Sequence, residues 1–125
     1  MKPILGRFTD VAYALMRVVA GLLFAQHGAQ KLFGVLGGTQ MLGEPLMVAA
    51  GVIELVAGLL VAIGLLASIA AFVAAGQMAV AYFMVHAPQG FWPIVNKGEL
   101  AALYCFVFIY IAARGAGRWS VESQR

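Results

Sequence analysis

The sequence predicts an all-α protein, an antiparallel four-helix transmembrane bundle. Three observations carry this. Of 125 residues, 63% are hydrophobic and only 10% charged, where an ordinary soluble domain carries about 25% charge. The mean hydropathy is +0.94, more apolar surface than a soluble domain of this size can hide. The apolar residues fall into four runs of about 18–23, each long enough to cross roughly 30 Å of hydrocarbon.

The chain is short enough for one domain, 1–125, with helices over roughly 10–33, 45–65, 68–86 and 96–114. Thr9 or Asp10 is a good N-cap for the first helix, which ends near Phe33–Gly34. Gly34-Val-Leu-Gly-Gly-Thr-Gln-Met-Leu-Gly43 reads as a flexible loop. Pro45 suits the first turn of the second helix. Between Gly64 and Ser68 there is room only for a tight turn, so the second and third helices form a hairpin, with Ser68 as a cap. The third helix stops before Pro88. Gln89-Gly-Phe-Trp-Pro93 is an aromatic loop suited to a membrane–water boundary. The fourth helix starts at Asn96 and ends near Gly115.

Lys2 and Arg7 ahead of an apolar stretch also fit a signal peptide. Arg17 interrupts the stretch and no convincing cleavage site follows, so the segment reads as a retained first span. Lys2, Arg7, Arg114, Arg118 and Arg125 flank the ends, while loops one and three carry only Lys31 and Lys97. A multi-pass protein of the bacterial plasma (inner) membrane with both termini cytoplasmic follows.

The net charge of +3 is scattered rather than gathered in a basic stripe, which argues against nucleic acid as a partner. The lipid bilayer is the partner composition demands. One cysteine, Cys105, excludes disulfide exchange within a subunit and reads as a small buried hydrophobe. His27 and His86 alone are a weak haem or metal signal, and no metal site is predicted. No phosphate-binding glycine loop or nucleophile triad is visible.

Two charges interrupt the spans: Arg17 within Val11–Ala25 and Glu54 within Leu46–Leu66. Such a charge costs roughly 2.5–3.5 kcal/mol at mid-membrane on insertion scales. An internal echo surrounds them. Arg17-Val-Val-Ala-Gly-Leu-Leu-Phe-Ala25 resembles Glu54-Leu-Val-Ala-Gly-Leu-Leu-Val-Ala62, although chance explains much in a chain this rich in Ala, Gly and Leu. Counting depth at about 1.5 Å per residue puts Arg17 level with Gly58 and Gly21 level with Glu54. Each charge then faces a glycine gap on its neighbour, and Arg17 reaches Glu54.

Two polar layers result. The inner one holds the Arg17–Glu54 pair, Gln77 and nearby Tyr104, either as a structural lock or as a ligand or proton site. The outer one gathers Gln26, His27, Gln30, Lys31, His86, Trp92, Lys97 and Glu99. There, capping, snorkelling and wet-interface roles compete with a pocket between helix ends. A quinone ring suits such a pocket: an apolar body, two carbonyls needing donors, and aromatic walls from Phe24, Tyr82 or Trp92. His27 and Lys31 would donate to a carbonyl while Glu99 relays the proton.

His27-Gly-Ala-Gln-Lys-Leu-Phe-Gly34 resembles the DoxX family of small bacterial membrane proteins. Arg17 ahead of Gly21, Gly51-Val-Ile-Glu54-Leu-Val-Ala-Gly58, Gly98-Glu99 and Gly115-Ala-Gly-Arg-Trp-Ser120 extend the similarity over nearly the whole chain. The resemblance implies four membrane helices and the label oxidoreductase. That label comes partly from a relative in a thiosulfate:quinone oxidoreductase, and partly from members in oxidative-stress and thiol-handling complexes. It singles out Arg17, His27, Lys31, Glu54 and Glu99. Because the chain carries no redox group of its own, it implies a quinone, a cofactor or another redox protein or membrane subunit as partner. The leading expectation is a quinone-associated or redox-complex membrane subunit. A non-enzymatic scaffold or assembly factor is the alternative, marked by a lipid-facing stripe of Ala70, Ala71, Ala74 and Ala75. A small-solute transporter subunit using Glu54 and Gln77 is the third, and a homo-oligomer stays open.

Overall fold

Apolar runs broken by proline and glycine give five α-helices among residues 1–122, the part of the chain that the computed structural model describes. Arg125, counted above for orientation, lies outside it. A single 3-10 turn, Gly6–Phe8, leads into α1, Thr9–Phe33. α2 spans Pro45–Ile63, with proline at its first turn where no donor is needed. α3 covers Ala67–Ala81 and continues as a π-helical turn, Tyr82–His86, then a 3-10 turn, Ala87–Gln89. α4, Pro93–Asn96, is one turn, and α5 runs Glu99–Arg114. Gly34 and Gly64 close α1 and α2 in the left-handed conformation, at φ 67° and 76°.

Three stretches are long and apolar enough to cross a membrane: Gly6–Phe33, Pro45–Ile63 and Ala67–Gln89. α5, at 16 residues, is shorter than the usual span. α1 packs along α2, and α3 along α5. α2 and α3 share a smaller contact, and the α1 and α5 backbones stay apart while their aromatic side chains meet, Phe24 against Tyr104 and Phe108 and Tyr13 against Tyr110. The backbones therefore form two close helix pairs, and space remains between them beside these rings.

Glycine sets the α1–α2 register. A Cβ on Gly21 would lie 2.6 Å from Gly58 O, and one on Gly58 would lie 2.6 Å from Gly21 O. The internal echo thus meets itself in a reciprocal contact. Gly28 also sits against α2, where a Cβ would lie 2.5 Å from Gly51 O, whereas Gly51 faces the side chains of Leu32 and Lys31. Gly21 faces the turn between Gly58 and Ala62, more than one turn away from the expected register. Arg17 therefore sits level with the end of α2 and Glu54 level with His27 and Gly28, roughly 15 Å apart along the axis. The expected Arg17–Glu54 ion pair does not form.

Other expectations also need correction. Thr9 caps nothing in α1: its hydroxyl donates to Gly6 O, at 2.7 Å. Ser68 does not cap α3 but donates to Ala112 O on α5 at 2.6 Å. The first N–H of α3, Ala67, instead donates to the Glu122 carboxylate at 3.3 Å, from the far end of the chain. Asn96 ends α4 rather than starting the last helix, whose N-cap is Gly98. The 34–43 loop is tied down, because Gln40 donates to Leu32 O and Met41 N–H to Lys31 O. The stripe Ala70, Ala71, Ala74 and Ala75 is buried in the core, not turned to lipid. Cys105 is half-buried against that core.

Candidate functional site

Arg17 is fully buried, and among the described residues its guanidinium donates to backbone carbonyls alone. Nε donates to Val61 O at 3.0 Å, Nη1 to Ala116 O at 2.7 Å and Arg118 O at 2.9 Å, and Nη2 to Trp119 O at 2.7 Å, with Ala62 O at 3.4 Å. Val61 and Ala62 lie in the last turn of α2, where carbonyls have no ordinary α-helical partner, Val61 O receiving only a 3.2 Å bond from Gly64 N–H, and the helix end is electronegative. The segment after α5 supplies the rest. It is held in turn by Tyr13 Oη donating to Gly115 O at 2.6 Å and by Val121 N–H donating to Ile63 O at 3.0 Å. The Gly115–Ser120 motif is thus a carbonyl cradle for a buried cation. Arg17 fixes the end of the bundle where Asp10 also pairs with Arg114, at 3.0 Å.

Glu54, 1% exposed, finds its cation in Lys31. Lys31 Nζ lies 2.6 Å from both carboxylate oxygens, and Gln77 Nε2 donates to Oε2 at 3.0 Å. Lys31 belongs to the helical face that carries Phe24 and Gly28, so its stem runs down α1 toward Glu54 instead of up to the headgroups. The two expected layers merge at this point. Gln77 Oε1 is buried without a partner, the single such side-chain atom among the described residues.

These groups line one side of a cavity of about 720 Å³ between the helix pairs, a volume within the range of small-molecule sites. His27, Lys31, Glu54, Gln77, His86, Lys97 and Tyr104 contribute its polar groups. Phe24, Ile53, Phe72, Val73 and Met84 are among its apolar walls. Phe72, Val73 and Met84 are exposed on the outer surface, so the cavity opens sideways as well. The Tyr104 ring packs on Phe24 and Phe108 with centroids 5.4 and 5.7 Å away, and His27 meets it edge-on at 6.0 Å.

Of the candidates named from sequence, His27, Lys31, Glu54, Gln77 and His86 come together around this cavity. Trp92 and Glu99 do not: both are exposed and absent from its lining, as is Tyr82. Arg17 serves the opposite end. Sequence reasoning missed Asn96, which is fully buried. Its amide donates to Tyr82 Oη at 3.1 Å and Gly90 O at 2.9 Å, and its Oδ1 accepts from Gly98 N–H at 2.8 Å. Its place before Gly98 suggested only a helix cap, and nothing local in the sequence announces a tertiary network. No three His, Cys, Asp or Glu side chains among the described residues gather as metal ligands.

Comparison with known proteins gives a consistent picture. The family model DoxX matches residues 12–87, which covers α1, α2 and α3. A Haemophilus influenzae (strain Rd) protein, described as uncharacterized, is 37% identical over 127 residues, covering 96% of this chain and 95% of its own. No solved structure matches.

Proposed function

The chain belongs to the DoxX family, and from that premise we propose that it is a quinone-associated membrane subunit of a redox system. In this reading α1, α2, α3 with its extension, and α5 cross the bacterial inner membrane as an antiparallel four-helix bundle. Both termini face the cytoplasm, in keeping with the basic residues at the chain ends. The α5 span is completed by the α4 turn and the aromatic loop before it, where Phe91 and Trp92 are 83% and 66% exposed, as suits a membrane boundary.

The cavity between the helix pairs carries the reading. It combines apolar walls, a sideways opening at membrane depth and a cluster of hydrogen-bonding groups at one side. That is the shape of a site for a lipid-soluble molecule with a polar head. A quinone has the required parts: a flat ring for Phe24 and Tyr104, carbonyls for donors such as His27, and an isoprenoid tail that leaves toward lipid. With no redox group in the chain, electrons pass between the quinone and a partner protein. The permeation alternative lacks a bare carboxylate, because Lys31 and Gln77 occupy Glu54.

Extraction of the full chain directly into lipid nanodiscs, followed by mass spectrometry and visible absorption, tests this. Recovery of a quinone in near-stoichiometric amount over an empty-nanodisc control is the expected result. A preparation that carries none, and takes up none when a short-chain quinone is added, removes the proposal.

A further inference from the structure

His86 is held in one tautomer. Its Nδ1 lies 3.1 Å from the backbone oxygen of Asn96. A carbonyl only accepts, so Nδ1 carries the hydrogen and, in the neutral ring, Nε2 is a bare acceptor. The arrangement is not incidental. Asn96 is immobilised by three hydrogen bonds of its own, to Tyr82 Oη, Gly90 O and Gly98 N–H. The π-helical turn Tyr82–His86 brings both ring side chains onto that residue. Lys97 then turns through φ 63°, a left-handed conformation that costs a lysine energy. Gly98 leaves no room for a side chain, since a Cβ would lie 2.6 Å from the Tyr82 ring and 2.8 Å from His86 Cβ. Strain and close packing are concentrated where they orient one imidazole.

The outer nitrogen of that imidazole has no hydrogen-bond partner among the described residues, and His86 lines the cavity. The other titratable groups around the cavity are differently committed. Glu54 is taken by Lys31 and Gln77. Lys31 and Lys97, as ammonium groups, and the Tyr104 hydroxyl have hydrogens to give. His86 Nε2 is thus the acceptor at the cavity that a fixed tautomer presents; His27 also lines it, with no hydrogen bond among the described residues to set which of its nitrogens carries the proton, and the amide oxygen of Gln77 is buried beside Glu54.

We infer that His86 Nε2 accepts a hydrogen bond from a hydroxyl on the ligand head, so the site favours the hydroxyl-bearing, reduced form. Resting on the quinone reading above, this means the hydroquinone is held more tightly than the quinone. The quinone offers carbonyls alone and leaves Nε2 unmatched. Asn96 is a positioning residue that acts through His86.

Two measurements on the full chain in nanodiscs test this. The ¹⁵N spectrum of histidine-labelled protein, assigned by difference with His86→Phe, should show His86 protonated on Nδ1 and bare on Nε2. Under anaerobic conditions decylubiquinol should bind about tenfold more tightly than decylubiquinone, the worth of roughly one hydrogen bond. His86→Phe should shrink that ratio several-fold, while His27→Phe should leave most of it in place. The inference is overturned if the spectrum shows the opposite tautomer, or if both forms bind the unchanged protein alike. In the second case the quinone reading survives. If neither form binds, that reading falls and takes this one with it. Should His86→Phe fail to fold, the spectrum and the affinity ratio of the unchanged protein still decide.

Discussion

Lys31 Nζ lies 2.6 Å from each carboxylate oxygen of Glu54, and Glu54 makes no contact with Arg17. The two charges that stand out in the sequence are accommodated separately, Glu54 by an ion pair with a side chain and Arg17 by hydrogen bonds to backbone carbonyls. Breaking the first pair from one side strands a buried charge, which typically costs about 3–5 kcal/mol. Lys31→Met should therefore destabilise strongly, while Lys31→Met combined with Glu54→Gln should recover much of the loss. A double-mutant cycle by thermal unfolding in detergent should return a large coupling for Lys31 and Glu54. For Arg17 and Glu54 it should return less than about 0.5 kcal/mol. The reverse pattern would contradict the observed pairing.

Arg17→Lys should not be conservative. The guanidinium fork reaches carbonyls in two segments, and an ammonium has neither its reach nor its fixed geometry. The carbonyl of Ala116 would lose its donor in a buried place, at about 1–3 kcal/mol, and the half-buried carbonyl of Trp119 would lose its own donor as well. Limited proteolysis should then cut the segment after α5 and should leave it intact in the unchanged protein. Continued resistance would mean that this segment is anchored by other contacts.

Glycines at two depths should respond in opposite directions. Gly21→Ala places a methyl group 2.6 Å from backbone atoms of α2, so the helices must separate, at about 1–3 kcal/mol. Gly76 on α3 has nothing within 4 Å of a built Cβ. There alanine should be neutral or stabilise by about 0.5–1 kcal/mol through helix propensity. Unfolding midpoints of the two variants in one detergent give the comparison.

Much of this was readable beforehand. The apolar runs, Pro45 and the left-handed glycines Gly34 and Gly64 mark helices by local chemistry, and they form close to where that chemistry puts them. The Gly21 and Gly58 echo also announced a tight α1–α2 contact. Register was not legible, because depth counted from an assumed membrane surface has an error of a turn or more, and a shift of that size exchanges the partners of Arg17, Lys31 and Glu54. Backbone acceptors are invisible in a sequence, so a cation among carbonyls looked as if it needed a carboxylate. Trp92 and Glu99 were grouped with the histidines by their expected depth at one membrane boundary. The α4 turn and Gly98 carry both of them away from the cavity.

His27→Ala should weaken binding of a short-chain quinone several-fold, whereas Trp92→Ala and Glu99→Ala should leave it within about twofold, since only His27 lines the cavity. Equilibrium titration of the three variants in nanodiscs checks this. A loss confined to Glu99→Ala would restore the proton relay that sequence alone pointed to.

The cavity itself is the centre of the account, and filling it is the most direct test. Gly76 lies on its wall with open space where a side chain would start. Titration of decylubiquinone into nanodisc-embedded protein should show saturable binding at one per chain, abolished by Gly76→Phe with the fold intact by circular dichroism. Binding that persists unchanged in Gly76→Phe, or that never saturates in the unaltered protein, would contradict the account.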